Sequence, residues 1–444
     1  MYRNNGLSVN NGHLNIAGID ACELAKKYGT PLYVMNEEYI RSQCRALRSA
    51  MDKYFPNGRV MFASKAFMNK AMCCIALSEG LGLDVVSGGE LYTALSVNAD
   101  SSMIELHGNN KTEDELAMAI NNNIYRIIVD GFDEIERIKK VAAVLNRKNI
   151  PVSIRIRPGI DAHTFDAVQT ANLDCKFGFN IASGEAMQAA ILLSNDDTFD
   201  FCGIHCHIGS QIFEESPFEI LCGHFVDFAK DFYSKTGRII NDFNFGGGYG
   251  VWYVDGDKPC ELENYIAIIH KSLNDLCQKA EYPIPKVTIE PGRSIVGEAG
   301  ITLYTVGGVK EIPSIRSYVS VDGGMFDNPR CALYGSKYTA LCANKADEPH
   351  DKTVTVAGKC CESGDIITYD TKLPQSIVRD DIVAILSTGA YNYSMASNYN
   401  RNTISAVVLV GCGKESLIVK RQSYEQLTSN DVIPEHLIGA DGNC

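Results

Sequence analysis

Short apolar or β-branched runs recur along the first three hundred residues, near VMFAS (60–64), GLDVV (82–86), MIEL (103–106), IYRIIV (124–129), PVSIRI (151–156), FCGIHC (201–206), NDFNF (241–245) and KVTIE (286–290). Helix-length segments separate them, among them NKAMCCIALSEG, GFDEIERIKKVAAVLNRK, PFEILCGHFVDFAKDFYSK and ELENYIAIIHKSLNDLCQKA. Strands that alternate with helices build βαβ units around a parallel sheet. Eight such strands over about 250 residues match the count and size of a (β/α)8 barrel, with an open doubly wound sheet as the rival. After residue 300 the rhythm changes. ITLYTVGGVKEI, YVSVD, TVTVAG, DIVAILS, ISAVVLV and ESLIVKRQ follow one another with few helices between, the pattern of a mainly antiparallel β domain. The first 36 residues also read as short strands. The expected division is a barrel over 37–305 and a β-rich domain from 1–36 and 306–444.

Length and charge narrow the function classes. A chain of 444 residues with 45% hydrophobic content can bury two cores. Its formal net charge of -13 argues against binding a phosphate backbone. The opening MYRNNGLSVNNGHLNIAG has no apolar core and no cleavage-site pattern of a secretory leader, and no run reaches the roughly 18 apolar residues of a membrane span. A cytoplasmic location is therefore expected. The sixteen cysteines are scattered without zinc-ligand spacing, so no metal is expected and most thiols read as small buried hydrophobes.

Barrel enzymes place their chemistry at the C-terminal ends of the strands. After the first strand comes Lys65, in the apolar context MFASKAFM, where desolvation would favour the free, nucleophilic amine. After the sixth come His207 and Ser210, a flat ring and a hydroxyl. After the seventh come Gly246, Gly247 and Gly248, and after the eighth Glu290, Pro291, Gly292 and Arg293. The loops after strands seven and eight commonly form a phosphate site in this architecture, and glycines let backbone approach an anion closely. A lysine, a phosphate cradle, a stacking ring and an acid together suit pyridoxal 5'-phosphate. Glu290 is the informative member: a carboxylate at the pyridine nitrogen keeps it protonated and makes the ring a strong electron sink, as decarboxylation requires, whereas an arginine there suits racemases.

On these residues the chain resembles the diaminopimelate decarboxylases, barrel-type (fold type III) pyridoxal-phosphate enzymes that share their fold with alanine racemase. The matching stretches are YGTPLYVMNE, FASKA, GLDVVSGGEL, HGNNKT, HCHIGSQIF, FNFGGGYG, EPGRSIVGEAG, SVDGGMFDNPRCALYG, CESGD and GAYNYSMASNYN, from about residue 28 to 400. EPGR and GGG are shared with ornithine and arginine decarboxylases; HGNNKT, CESGD and the last stretch are closer to the diaminopimelate branch. The resemblance implies that Lys65 bonds to the cofactor, His207 stacks on its ring and Glu290 holds its nitrogen. Ser210, Gly246, Gly247, Gly248, Gly292 and Arg293 would surround the phosphate, with Tyr391 closing over it. Arg293, Arg330 and Tyr334 would hold the substrate's distal carboxylate and Glu362 its ammonium. Cys361 would enter from the second subunit of a homodimer as a proton donor, giving two shared sites. One stretch departs: the family form near AHTHxYIxTG is here Ala162 to Thr170, AHTFDAVQT, ahead of Lys176, Phe177 and Gly178, without the second histidine and the glycine. Two alternatives stay open, a decarboxylase of another basic or diamino acid (ornithine, arginine, carboxynorspermidine) and a non-catalytic homologue. Arg330 argues against ornithine, whose distal amine needs an acidic partner.

Overall fold

The computed structural model describes residues 5–159 and 175–438; the divergent 162–170 stretch lies outside them. The chain divides into two compact units. One comprises the chain up to Gly6, Asn36–Gly300 and Ser387–Ser394; the other comprises Leu7–Met35, Ile301–Leu386 and the chain from Met395 onward.

Eight parallel strands form the core of the first unit: β1 (Arg59–Ala63), β2 (Gly82–Val85), β3 (Ile104–Leu106), β4 (Arg126–Val129), β5 (Ile150–Arg157), β6 (Phe199–His205), β7 (Asp242–Asn244) and β8 (Lys286–Ile289). Their order runs β5-β6-β7-β8-β1-β2-β3-β4, and β4 pairs back onto β5 from Ile127↔Val152 to Val129↔Ile154. That last pairing closes the barrel. A doubly wound sheet would instead leave two edges, each a row of unpaired backbone groups. Most strand residues are buried, which is why these strands read as short, largely apolar runs rather than as alternations.

The surrounding helices follow from one-sided apolar spacing. In Glu37–Tyr54 the buried residues are Ile40, Cys44, Leu47, Ala50 and Met51, three or four apart on one stripe, and Asn36 caps the helix by accepting from the Tyr39 N–H. Leu262–Ala280 buries Tyr265, Ile266, Ile269, Leu273 and Cys277 in the same way. Ser216–Thr236 opens with Pro217 in its first turn and ends at Gly237 with φ 70°, the residue types that fit a helix start and stop.

The second unit is built on a largely antiparallel sheet. Its main path runs Ile366–Leu373, Lys352–Ala357, Arg316–Val321, Gly300–Ile312, Leu32–Asn36, Ala406–Gly411, Lys414–Val419, with Ile382–Ile385 paired to Gly300–Ile312 and Ala340–Cys342 paired in turn to Ile382–Ile385. Arg316–Val321 and Lys352–Ala357 run parallel, a departure from the antiparallel expectation. Three short strands, Leu7–Asn10, His13–Ile16 and Ile19–Asp20, form a separate antiparallel sheet. Among the described residues no helix is long and apolar enough to cross a membrane, and the described cysteines are all free, about half of them buried.

Candidate active site

Chemistry-bearing side chains gather where the barrel strands end. β1 gives way to a 3-10 turn, Ser64–Ala66, that lifts Lys65 to the mouth. Ser64 and Ala66 are buried but Lys65 itself is exposed, so the desolvation expected from its apolar flanks is not met in the chain alone. The flanks pack inward and direct the lysine outward. Tyr391, carried by Ser387–Ser394, is tied to the same turn through its N–H, which donates to the Ala66 carbonyl at 2.8 Å. Lys65, His207, Ser210, Gly248, Glu290, Gly292, Arg293 and Tyr391 line one cavity together with Ala63, Tyr249 and Ser294. A roomier groove between the helices Glu185–Asn195 and Ser216–Thr236 holds none of these residues.

The glycine loop after β7 works by close packing. A Cβ at Gly247 would sit 2.2 Å from the Glu290 carbonyl oxygen, and one at Gly248, whose φ is 107°, would sit 2.3 Å from that of Gly209. Any side chain would therefore force the loops after β6, β7 and β8 apart. Two of the three glycine N–H groups serve the protein itself: Gly246 donates to Asn244 Oδ1 at 2.9 Å and Gly247 to His207 Nδ1 at 3.2 Å. The cradle thus depends on backbone proximity more than on a row of three donors. Beside it, the Arg293 guanidinium donates to Ser210 Oγ at 3.0 and 3.3 Å and lies 4.7 Å from the Tyr391 ring centre.

The bond from Gly247 fixes His207. An Nδ1 that accepts carries no proton, so the imidazole is neutral. Desolvation, with the charges of Lys65 and Arg155, holds its pKa well below the usual 6.5. A neutral ring is the form suited to lie against an aromatic cofactor without repelling a protonated one.

Glu290 sits at the floor of the cavity, buried. Its Oε1 accepts from Asn244 Nδ2 at 2.6 Å and faces His107 Nε2 at 3.0 Å; its Oε2 faces His205 Nε2 at 3.1 Å. Burial pushes the carboxyl toward the neutral form, but His107 and His205 outweigh it and hold the pKa well below the ordinary carboxylate range. Sequence reasoning named Glu290 but assigned no role to Asp84, Glu105, His107, His205 or Asn244. A signal was present: Glu105 and His107 stand two apart at the end of an otherwise apolar barrel strand, so both point inward.

Arg330, Tyr334, Cys361 and Glu362 belong to the second unit. Arg330 and Tyr334 share the short helix Arg330–Tyr334, with the guanidinium 5.1 Å from the Tyr334 ring centre. Cys361 and Glu362 are exposed on the turn before Ile366–Leu373. The Cys361 N–H donates to Asn400 Oδ1 at 2.8 Å, and Glu362 Oε1 accepts from the Gly364 N–H at 3.1 Å.

Two buried hydroxyls of the cavity, on Tyr249 and Ser294, have no hydrogen-bond partner among the described residues. With the close-packed glycine cradle, the guanidinium beside it and an ionised acid on the floor, the donor set fits a planar phosphorylated pyridine. Comparison with known proteins agrees. Residues 38–297 match the family model for the pyridoxal-binding domain of pyridoxal-dependent decarboxylases. The diaminopimelate decarboxylase of Bacillus subtilis (strain 168) is 44% identical over 424 residues, 95% of each chain. The crystal structure of diaminopimelate decarboxylase from M. jannaschii in complex with L-lysine matches at a TM-score of 0.91 and 34% identity, over 98% of this chain and 100% of that one. A lysine/ornithine decarboxylase from Vibrio vulnificus complexed with cadaverine matches at a TM-score of 0.74 and 19% identity, a likeness of fold alone.

Proposed function

The chain belongs to the diaminopimelate decarboxylases, a family of pyridoxal-dependent decarboxylases, and from that premise we propose that it converts meso-2,6-diaminopimelate to L-lysine and CO2 with pyridoxal 5'-phosphate as cofactor. The observation that carries the reading is Glu290, buried just after β8 with Asn244, His107 and His205 around its carboxylate. Bound there, the cofactor supplies an electron sink for the carbanion left as CO2 departs.

The protein's part is placement and charge. Lys65 Nζ would hold the cofactor covalently, the neutral face of His207 would cover its ring, and Glu290 would meet the ring nitrogen. Ser210, Gly246, Gly247, Gly248, Gly292 and Arg293 would hold the phosphate, with Tyr391 over it. Arg293 is already oriented by Ser210 and Tyr253, so little side-chain freedom is lost on binding. Arg330 and Tyr334, with Arg293, would take the substrate's distal carboxylate, and Glu362 its ammonium. Fixing the far end would orient the scissile carboxylate for its departure. Cys361 Sγ would give a proton to the α-carbon.

A homodimer with two shared sites is part of the same proposal, with Cys361 serving the partner's site. Its exposure in the single chain leaves the side chain available to a second copy. A cytoplasmic setting goes with it, in keeping with the free thiols. Borohydride reduction of the purified protein, followed by peptide mass mapping, tests the site: the pyridoxyl group is expected on Lys65. Label on another lysine, or none, would contradict it.

A further inference from the structure

Below the mouth of the barrel, five ionisable side chains from four strand ends converge where water is excluded. Asp84 lies on β2, Glu105 on β3, His107 directly after it, His205 at the end of β6 and Glu290 after β8, and all five are buried. His107 Nε2 lies 3.0 Å from Glu290 Oε1, 3.6 Å from Glu105 Oε1 and 3.7 Å from Asp84 Oδ1. The 3.0 Å approach lacks the alignment of a hydrogen bond. Asn244 and His205 supply the directed bonds to Glu290. What His107 offers Glu290 is charge, which needs no alignment.

Only one of the two imidazoles can carry that charge. Their ring centres are 4.8 Å apart, edge to face, and two cations at that distance in a dry interior repel strongly. His107 faces three carboxyl groups. His205 faces Glu290 alone and also feels the Arg155 guanidinium.

We propose that His107 is a positioning residue that keeps Glu290 a carboxylate facing the cofactor's ring nitrogen, with Asp84 anchoring the imidazolium and Glu105 remaining a neutral acid beside it. The inference rests on the cofactor reading above and extends it to residues that touch neither cofactor nor substrate. The titration directions of His107, His205 and Glu105 agree with this geometry; burial and Glu290 raise Asp84 against the pull of His107. Burial opposes charge on His107, yet Asp84 and Glu290 raise it to about 10. Burial lowers His205 to about 4 and raises Glu105 to about 8. At neutral pH the pair Glu290 and His107 then contributes one charge of each sign, with Glu105 protonated and His205 neutral. Other groups that bear on the cluster include Arg155 and, through Asp84, Lys65 and Glu90.

The test uses holoenzyme reconstituted with cofactor labelled with 15N at the ring nitrogen, followed by NMR across pH. In wild type the nitrogen is expected to stay protonated to above pH 8. In His107→Asn, and in His107→Gln as a second variant, it should lose its proton at neutral pH while the cofactor remains linked to Lys65, with kcat down about tenfold. Glu105→Gln, which replaces a neutral acid by a neutral amide, should keep the wild-type nitrogen signal. A wild-type nitrogen titration in folded His107 variants overturns the proposal, as does a loss of the signal in Glu105→Gln equal to that in His107→Asn. A stoichiometric metal ion on His107, His205 and Glu290, which lie within 4.8 Å of one another, also overturns it. If neither His107 variant folds, 15N-histidine NMR of wild type decides: one imidazole titrating above pH 9 supports the proposal, and none overturns it. Failure of the underlying cofactor reading would look different, as a wild-type protein with no bound label or a nitrogen still protonated in Glu290→Gln.

Discussion

Glu290 reaches the cavity floor because β8 ends at Ile289 and Pro291 follows, leaving the one carboxylate of the strand end among donors from β6 and β7. Replacing it by glutamine keeps the shape and removes the charge. Glu290→Gln should still bind cofactor but lose at least tenfold in kcat, because a charge-assisted hydrogen bond contributes roughly 1.5–3 kcal/mol and each 1.4 kcal/mol is about a decade in rate. Steady-state kinetics at saturating substrate check this, and an unchanged kcat would mean that the ring nitrogen has another partner. Arg330→Ala belongs to the same scale. It should raise KM for diaminopimelate far more than it weakens cofactor binding, as cofactor titration alongside kinetics would show. A collapse of cofactor affinity with KM unchanged would contradict the assignment.

Among the elements, the loop after β7 makes the sharpest demand on sequence. Gly247→Ala would drive a methyl into the Glu290 carbonyl at 2.2 Å, and overpacking of this kind costs about 1–3 kcal/mol. Urea denaturation should show that loss together with weaker cofactor binding. Gly223→Ala, in the helix Ser216–Thr236 with open space around its Cβ, should be neutral or slightly stabilising. The same contrast explains what the sequence made legible. All eight barrel strands could be read because each lies in a short, largely apolar or β-branched run set between helix-length segments, and the strand-end residues followed from them. Ile366–Leu373 and Ala340–Cys342 could not. The first is interrupted by Asp370 at φ 51° and pairs through register shifts at Val354 and Val356, and the second spans three residues, too few to show a period. The charged floor was missed for another reason. Asp84, Glu105 with His107, His205 and Glu290 stand at four strand ends far apart in sequence, whose side chains only the fold brings together, and Lys65 is exposed in the single chain because its apolar neighbours in sequence pack away from it.

At the scale of the whole molecule, the buried cluster ties stability to pH. In the unfolded chain Glu105 titrates near 4.5 and His107 near 6.5; in the fold they lie near 8 and 10. Between pH 6.5 and 8.5 the folded protein therefore holds protons that the unfolded chain has released. Stability from these groups, complete below the unfolded values, is lost as pH rises through the folded ones, on the order of 1 kcal/mol per pH unit for each. His205, lowered to about 4, acts in the opposite sense but below pH 6.5, and buried thiols such as Cys44 and Cys73, raised to about 12, act from about pH 9 upward. The thermal midpoint of the cofactor-free protein should fall across that window, less steeply in Glu105→Gln; a rising midpoint would contradict the charge assignment. The proposed dimer makes its own prediction. Lys65→Ala and Cys361→Ala should each be nearly inactive alone. Mixed with subunit exchange, they should recover up to about a quarter of wild-type activity, since half the dimers are mixed and each mixed dimer has one intact site. No recovery under confirmed exchange would place both residues in a site within one chain.

The central claim is the reaction itself, and product analysis tests it most directly. Protein reconstituted with pyridoxal 5'-phosphate is supplied with meso-diaminopimelate, ornithine, arginine or carboxynorspermidine in parallel, and amine products and CO2 are quantified. The account predicts one L-lysine and one CO2 for each diaminopimelate consumed, dependent on the cofactor and on Lys65, with little turnover of the other three. Cofactor-loaded protein that forms no lysine, or that decarboxylates one of the others with the higher kcat/KM, would contradict it.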